Sequence, residues 1–171
     1  VIRIGRRFPM KWHPDYQGFF VLNTLFGGYF GSRLMANIRE EKGYTYNIFS
    51  TLDSLRFDSC FYIGTEVGNE FVEPTLSEIY REMDLLSVEL ADPKELEILR
   101  NFLLGNLLSM IDGPFNVASI VRAIMVEELD PANFDDLVQV VKTISAEELR
   151  DLARKYLRRE EMWEVIVGAV E

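Results

Sequence analysis

Apolar residues recur along this chain at two spacings, three-to-four and two, and the alternation between them predicts its elements. The opening VIRI reads as a strand already under way, followed by a helix whose first position is suited to Pro14 and whose apolar face is Phe19, Leu22, Leu25 and Phe26. Gly27 and Gly28 stand where that face stops, as a left-handed helix end would require. Ser32 is placed to cap a second, short helix with Leu34, Met35 and Ile38 on its buried side, and Gly43 ends it. Beyond Gly43, Tyr44, Tyr46 and Ile48 alternate with Thr45, Asn47 and Phe49, which predicts a strand. Arg39 thus falls late on a helix and Tyr46 early on the strand it feeds.

Turn residues over 53–58 and an apolar run over 60–67 predict a hairpin partner for that strand. Asn69 and Pro74 bracket the start of a helix carrying Leu76, Ile79, Tyr80, Met83 and Leu86 at helical spacing. Asp92-Pro93-Lys94-Glu95 is a strong start signal for a long helix, and Gly113-Pro114 stops it. Further helical patterns surround Ile120 and Leu137, and Ser145 with Glu148 forms a capping box ahead of Leu149, Leu152, Ala153 and Tyr156. The closing MWEVIVGAV is rich in β-branched residues and predicts a strand covered on one face and partly on the other. The order implies one α/β domain over residues 1–171, with strands at both ends and a helical middle.

Composition narrows the chemistry. An apolar fraction of 48% in 171 residues is ample for one buried core. The formal charge of −10 opposes binding to nucleic acid, whose phosphates need clustered lysine and arginine. The basic groups at Arg3, Arg6, Arg7 and Lys11, and at Arg154, Lys155, Arg158 and Arg159, read as solvated faces and helix ends. No window has the apolar length of a membrane span and no secretory signal is present, while the start on Val1 inside a strand suggests that a larger polypeptide precedes it. The single cysteine, Cys60, forms no internal disulfide and reads as a buried core thiol. The single histidine, His13, excludes an H-x-x-E-H zinc pair within this chain, and neither a G-x-S-x-G elbow nor a phosphate loop occurs.

One stretch carries more than structure. Gly27-Gly28, Ser32-Arg33-Leu34, Ile38-Arg39, Gly43 and Tyr46 resemble the pattern GG-x-x-x-SRL-x-x-x-(I/L)R-x-x-x-G-x-x-Y in the C-terminal half of the pitrilysin/insulinase family of zinc metallopeptidases, the inverzincins. The likeness extends loosely to the closing strand. It implies an α+β two-layer domain, a mainly antiparallel sheet packed on several helices, forming one half of a clamshell. Zinc would sit on an H-x-x-E-H helix of a homologous half, in the same polypeptide or a separate subunit, and not in this chain. The resemblance gives Arg39 and Tyr46 contacts to a peptide substrate near the scissile bond, where a guanidinium and a phenol can donate to carbonyl oxygens. Without it, both have ordinary roles, a cation at a helix end and a packed ring. Arg33, Glu40 and Glu41 read as an exposed helix face, Tyr29 and Phe30 as anchors of the turn ahead of the other reading, the lining of a substrate cleft, and His13 as a helix-start or surface residue. The domain alone is then expected not to hydrolyse peptides. The rival readings are a non-catalytic companion or structural subunit and a peptide-binding module. Cytoplasm and periplasm both suit the sequence.

Overall fold

Isoleucines at every second position fix how the opening strand is used. In the computed structural model, which describes residues 1–55 and 57–168, β1 (Ile2–Arg7) is an inner strand of a four-stranded sheet. The hairpin strands β2 (Ile48–Ser54) and β3 (Ser59–Thr65) lie to one side of it and β4 (Trp163–Ile166) to the other. The order is β2-β3-β1-β4, and every pairing is antiparallel. Because Ile4 pairs with Ile63 and Ile2 with Thr65, the period of two places Ile2, Ile4, Ile48, Phe61 and Ile63 on one face, all buried. Arg3, Gly5, Phe49, Cys60 and Tyr62 occupy the other face and are only half-buried.

Helices pack on the isoleucine face. Phe19 of α1 (Tyr16–Asn23) meets Phe61 edge-on at 5.3 Å, and Phe8 and Tyr156 complete the aromatic cluster at 4.2 and 5.4 Å from Phe19. Such pairs are worth about 0.5–1.5 kcal/mol each beyond the area they bury. Tyr80 of α2 (Val72–Val88) donates its hydroxyl to Glu164, the β4 residue opposite Ile4. The long α3 (Pro93–Met110) starts as the sequence predicts, with Pro93 first and the Asp92 carboxylate accepting the Lys94 amide at 2.8 Å. Gly113, at φ 91°, turns the chain from α3 into α4 (Pro114–Val126), which buries none of its side chains, and α5 (Asn133–Thr143) follows. The last helix, α6 (Ala146–Tyr156), opens on a complete capping box: the Glu148 amide donates to Ser145 Oγ at 3.1 Å and the Ser145 amide to Glu148 Oε2 at 2.8 Å. Since α6 sends Leu149, Ala153 and Tyr156 into the core, Ser145→Ala should lower stability by about 1 kcal/mol in urea titration.

Four expectations change. Pro14 lies in the turn before α1, where the Tyr16 amide donates to the His13 carbonyl, and Asp15 takes the cap position. The closing strand is an edge with all four residues exposed, because none of the described residues covers its outer flank or its second face; Ala169 and Val170 lie outside the described residues. Cys60 is half-buried, since the register sends it to the open face, and burial pushes its thiol pKa up. The basic residues expected to be solvated are largely paired, Arg6 with Glu161, Arg7 with Asp58, Lys11 with Glu127 and Lys155 with Asp15. No single helix among the described residues is long and apolar enough to cross a membrane.

Candidate functional site

The segment with the family-like pattern is held from three directions. First, α1 runs on as a π-helical turn, Thr24–Gly28, pressed against β2. A Cβ on Gly27 would lie 2.6 Å from Ser50 Oγ and 2.7 Å from Ser50 N, so glycine is required there by close approach. Neither Gly27 nor Gly28 has a positive φ, and the left-handed helix end expected at this pair is absent. Asn23 and Ser50 fasten the contact, with Asn23 Nδ2 donating to the Ser50 carbonyl and Ser50 Oγ donating to the Asn23 carbonyl.

Second, Arg33 is forked onto Glu95 at the start of α3, with Nε to Oε1 at 2.8 Å and Nη2 to Oε2 at 2.9 Å. This bidentate ion pair gives Arg33 a bracing role in place of the exposed face expected for it. Tyr29 stacks on Phe102 of α3 at 4.6 Å, as an anchor should. Phe30 is instead 61% exposed. The Ser32 hydroxyl is buried and unpartnered, so it caps nothing; only its carbonyl enters the helix, accepting the Ala36 amide.

Third, Asn37 reaches α2. The chain from Met35 to Glu41 is a π-helix, wider than the α-helix the spacing predicts, with the Lys42 amide donating to the Asn37 carbonyl five residues back. Leu34, Met35 and Ile38 are buried as predicted. Asn37, also buried, donates through Nδ2 to Glu78 Oε2 at 2.9 Å and to Glu82 Oε1 at 2.8 Å. The bond from Asn37 holds the Glu78 carboxyl below its usual range, whereas burial pushes Glu82 above it. A native carboxyl with a raised pKa keeps a proton that the unfolded chain has released. Its contribution to stability is therefore present below the ordinary glutamate value and lost as pH rises through the folded one. Glu82→Gln should accordingly gain stability over wild type as pH is raised from about 4.5 to neutrality, measured by urea unfolding across that range.

Braced in this way, the segment leaves Arg39 half-buried at the surface and Tyr46 exposed. The Arg39 guanidinium lies over the Phe30 ring, 4.6 Å from its centroid. Gly43, at φ 67°, ends the helix where the sequence places its end. The strand does not follow at once. β3 supplies its last partner at Thr65, opposite Ile48, and over residues 43–47 the Thr45 hydroxyl takes over, donating to the Glu66 carbonyl and accepting the Asn47 amide. Tyr46 is therefore on a connecting segment, not on the predicted strand, and is 93% exposed. Tyr44 beside it stacks on Phe71 at 5.0 Å. Among the described residues no hydrogen bond, ion pair or ring contact joins Arg39 to Tyr46; what they share is one braced segment. Glu40 and Glu41 are exposed, as expected.

The bracing roles of Asn37, Glu78, Glu82 and Glu95 escape the sequence reading, which takes Glu95 only as part of a helix start. The available signal was an asparagine beside Ile38 on the buried side of the predicted helix, and two glutamates four apart on α2. His13 Nδ1 accepts the Asp15 amide at 3.1 Å, a turn contact. Among the described residues no group of three or more His, Cys, Asp or Glu could hold a metal ion, so the donors here do not fit zinc.

The family model described as the peptidase M16 inactive domain matches residues 1–103, more than half of the chain and all of the segment just described, and the chain belongs to that family. Among solved structures it is similar to the peptidase M16 inactive domain from Pseudomonas fluorescens, at 22% identity and a TM-score of 0.86, covering 95% of this chain and 39% of that one. A protease from Helicobacter pylori gives 19% identity and a TM-score of 0.87, with 95% and 40% covered. A putative zinc protease from Bordetella pertussis Tohama I gives 18% and 0.81, with 98% and 92% covered. This chain thus spans about two fifths of the first two relatives and nearly all of the third. They bear out the antiparallel sheet on helices. No curated protein sequence matches.

Proposed function

We propose that this domain is the substrate-holding half of a zinc-dependent endopeptidase, with Arg39 and Tyr46 donating to the backbone carbonyls of a bound peptide. One observation carries the reading. Among the described residues Arg39 has no carboxylate partner and Tyr46 no hydrogen bond, yet the segment bearing them is fixed by Gly27, Arg33 and Asn37. Donors left unpaired on a rigid frame cost little to engage with a ligand, because the frame has already lost its freedom. A phenol on such a frame can hold the oxyanion that develops when a peptide carbonyl is attacked, and a guanidinium can fix the neighbouring carbonyls. Among the described residues no donor set fits zinc, and in this reading the metal belongs to a homologous half, in the same polypeptide or a companion subunit.

The test is zinc content and peptide cleavage of the longest native polypeptide containing this domain, purified with whatever accompanies it. Near-stoichiometric zinc with chelator-sensitive cleavage is expected. Absence of zinc from a protein that still binds peptide, or that only assembles with other subunits, would overturn the reading in favour of a non-catalytic companion.

A further inference from the structure

We propose that Glu82 and Asn37 form a positioning pair that sets the direction of Arg39 by locking the turn Met35–Glu41 in its wide, π-helical form. The inference deepens the reading of Arg39 as a substrate contact and rests on it.

A π-helical turn is less favourable than the α-helix available to the same residues, and it persists where tertiary contacts impose it. Here the contact is specific. Asn37 is 7% exposed and Glu82 8% exposed, and the asparagine's amide nitrogen spans two carboxylates one helical turn apart on α2. Glu78 has other cations, with Arg81 at 3.0 Å and Lys42 at 3.6 Å. Glu82 does not share them to the same degree. The charged groups around it are Arg33, which is forked onto Glu95, and Arg81, together with Glu41, Glu78 and Glu89, and Asn37 supplies its hydrogen bond. A buried carboxylate among so many acids opposes folding, and burial indeed raises its pKa. An apolar residue would pack in its place at less cost. What the carboxylate adds is a directional acceptor for Asn37, two residues before Arg39 on the same turn.

If that acceptor is lost, Asn37 keeps only its bond to Glu78, itself shared with Arg81 and Lys42, and the turn can shorten to the i to i+4 pattern. Shortening by one residue rotates everything beyond it by about 100° about the helix axis, which takes Arg39 away from the Phe30 ring. Arg39 would remain on the surface, pointing elsewhere. The fold would survive, since Leu34 and Ile38 face the core on either pattern.

Glu82→Leu and Glu82→Gln, made in the full native polypeptide with its companion, separate positioning from mere support. Leucine removes the acceptor and the charge together, whereas glutamine keeps an acceptor oxygen for Asn37. For Glu82→Leu the expected result is a melting temperature equal to or above wild type, hydrogen-exchange protection over 35–44 changed about tenfold at individual amides as the i to i+5 bonds are replaced, and a KM raised about tenfold with kcat little changed, the size expected from one charge-assisted hydrogen bond. Glu82→Gln should keep the protection and KM of wild type. Wild-type protection and KM in Glu82→Leu would overturn the proposal, as would loss of both in Glu82→Gln. Hydrogen exchange is read without substrate. A wild-type protein that neither binds nor cleaves peptide would therefore defeat the substrate role of Arg39, while the exchange pattern still decides whether Glu82 holds the turn.

Discussion

Tyr46→Phe, which removes one hydroxyl, should, in the role proposed for it, slow peptide cleavage by the assembled protein about 100-fold, close to 2.7 kcal/mol of transition-state stabilisation. The melting temperature should not move, because the ring is almost wholly exposed and its hydroxyl has no hydrogen bond among the described residues. The loss should fall on kcat. A donor aimed at the oxyanion acts on charge that develops only as the carbonyl is attacked, so ground-state affinity is spared. A rise in KM with kcat unchanged would instead make the phenol an ordinary contact to the bound peptide. Unchanged turnover would remove Tyr46 from the mechanism.

Gly27→Val should have the largest effect on stability, about 3 kcal/mol, read as a displaced midpoint in chemical denaturation. A Cβ there meets both the Ser50 hydroxyl and the Ser50 backbone nitrogen inside normal contact, and the latter cannot swing aside without disturbing β2. The neighbouring position is the control. At Gly28 the nearest atom, the Asn23 carbonyl oxygen, is 3.3 Å from an added Cβ, so Gly28→Ala should cost much less. Equal losses at the two positions would mean that backbone freedom, not crowding, selects the pair. Because Gly27 seats the first end of the braced segment, activity should fall along with stability.

Local signals carried most of the fold. The caps at Asp92 and Ser145, the stop at Gly43 and the apolar faces of α2 and α6 depend on residues within four positions of one another, and all were legible. The roles proposed for Arg39 and Tyr46 rest on a pattern alone, since their spacing has no meaning without a partner to touch. What failed depends on distance. The reason for Gly27 lies at Ser50, the true start of β2 is set by where β3 runs out, and the role of Arg33 is fixed by Glu95. The π-helix was hidden for another reason. Hydrogen bonds four and five residues apart draw on the same apolar spacing, and what separates them here is the bond from Asn37 to α2.

The wide turn at Met35–Glu41 also bears on how this surface tolerates insertion and deletion. A π-helical turn is one residue longer than the α-helical turn that can replace it. A single-codon deletion there would be absorbed as ordinary helix, leaving the core and its partners in register. Only the side chains within the turn itself would change direction. If Arg39 holds substrate as proposed, one deletion within the turn could remove that contact and leave the domain well folded, with no trace in stability.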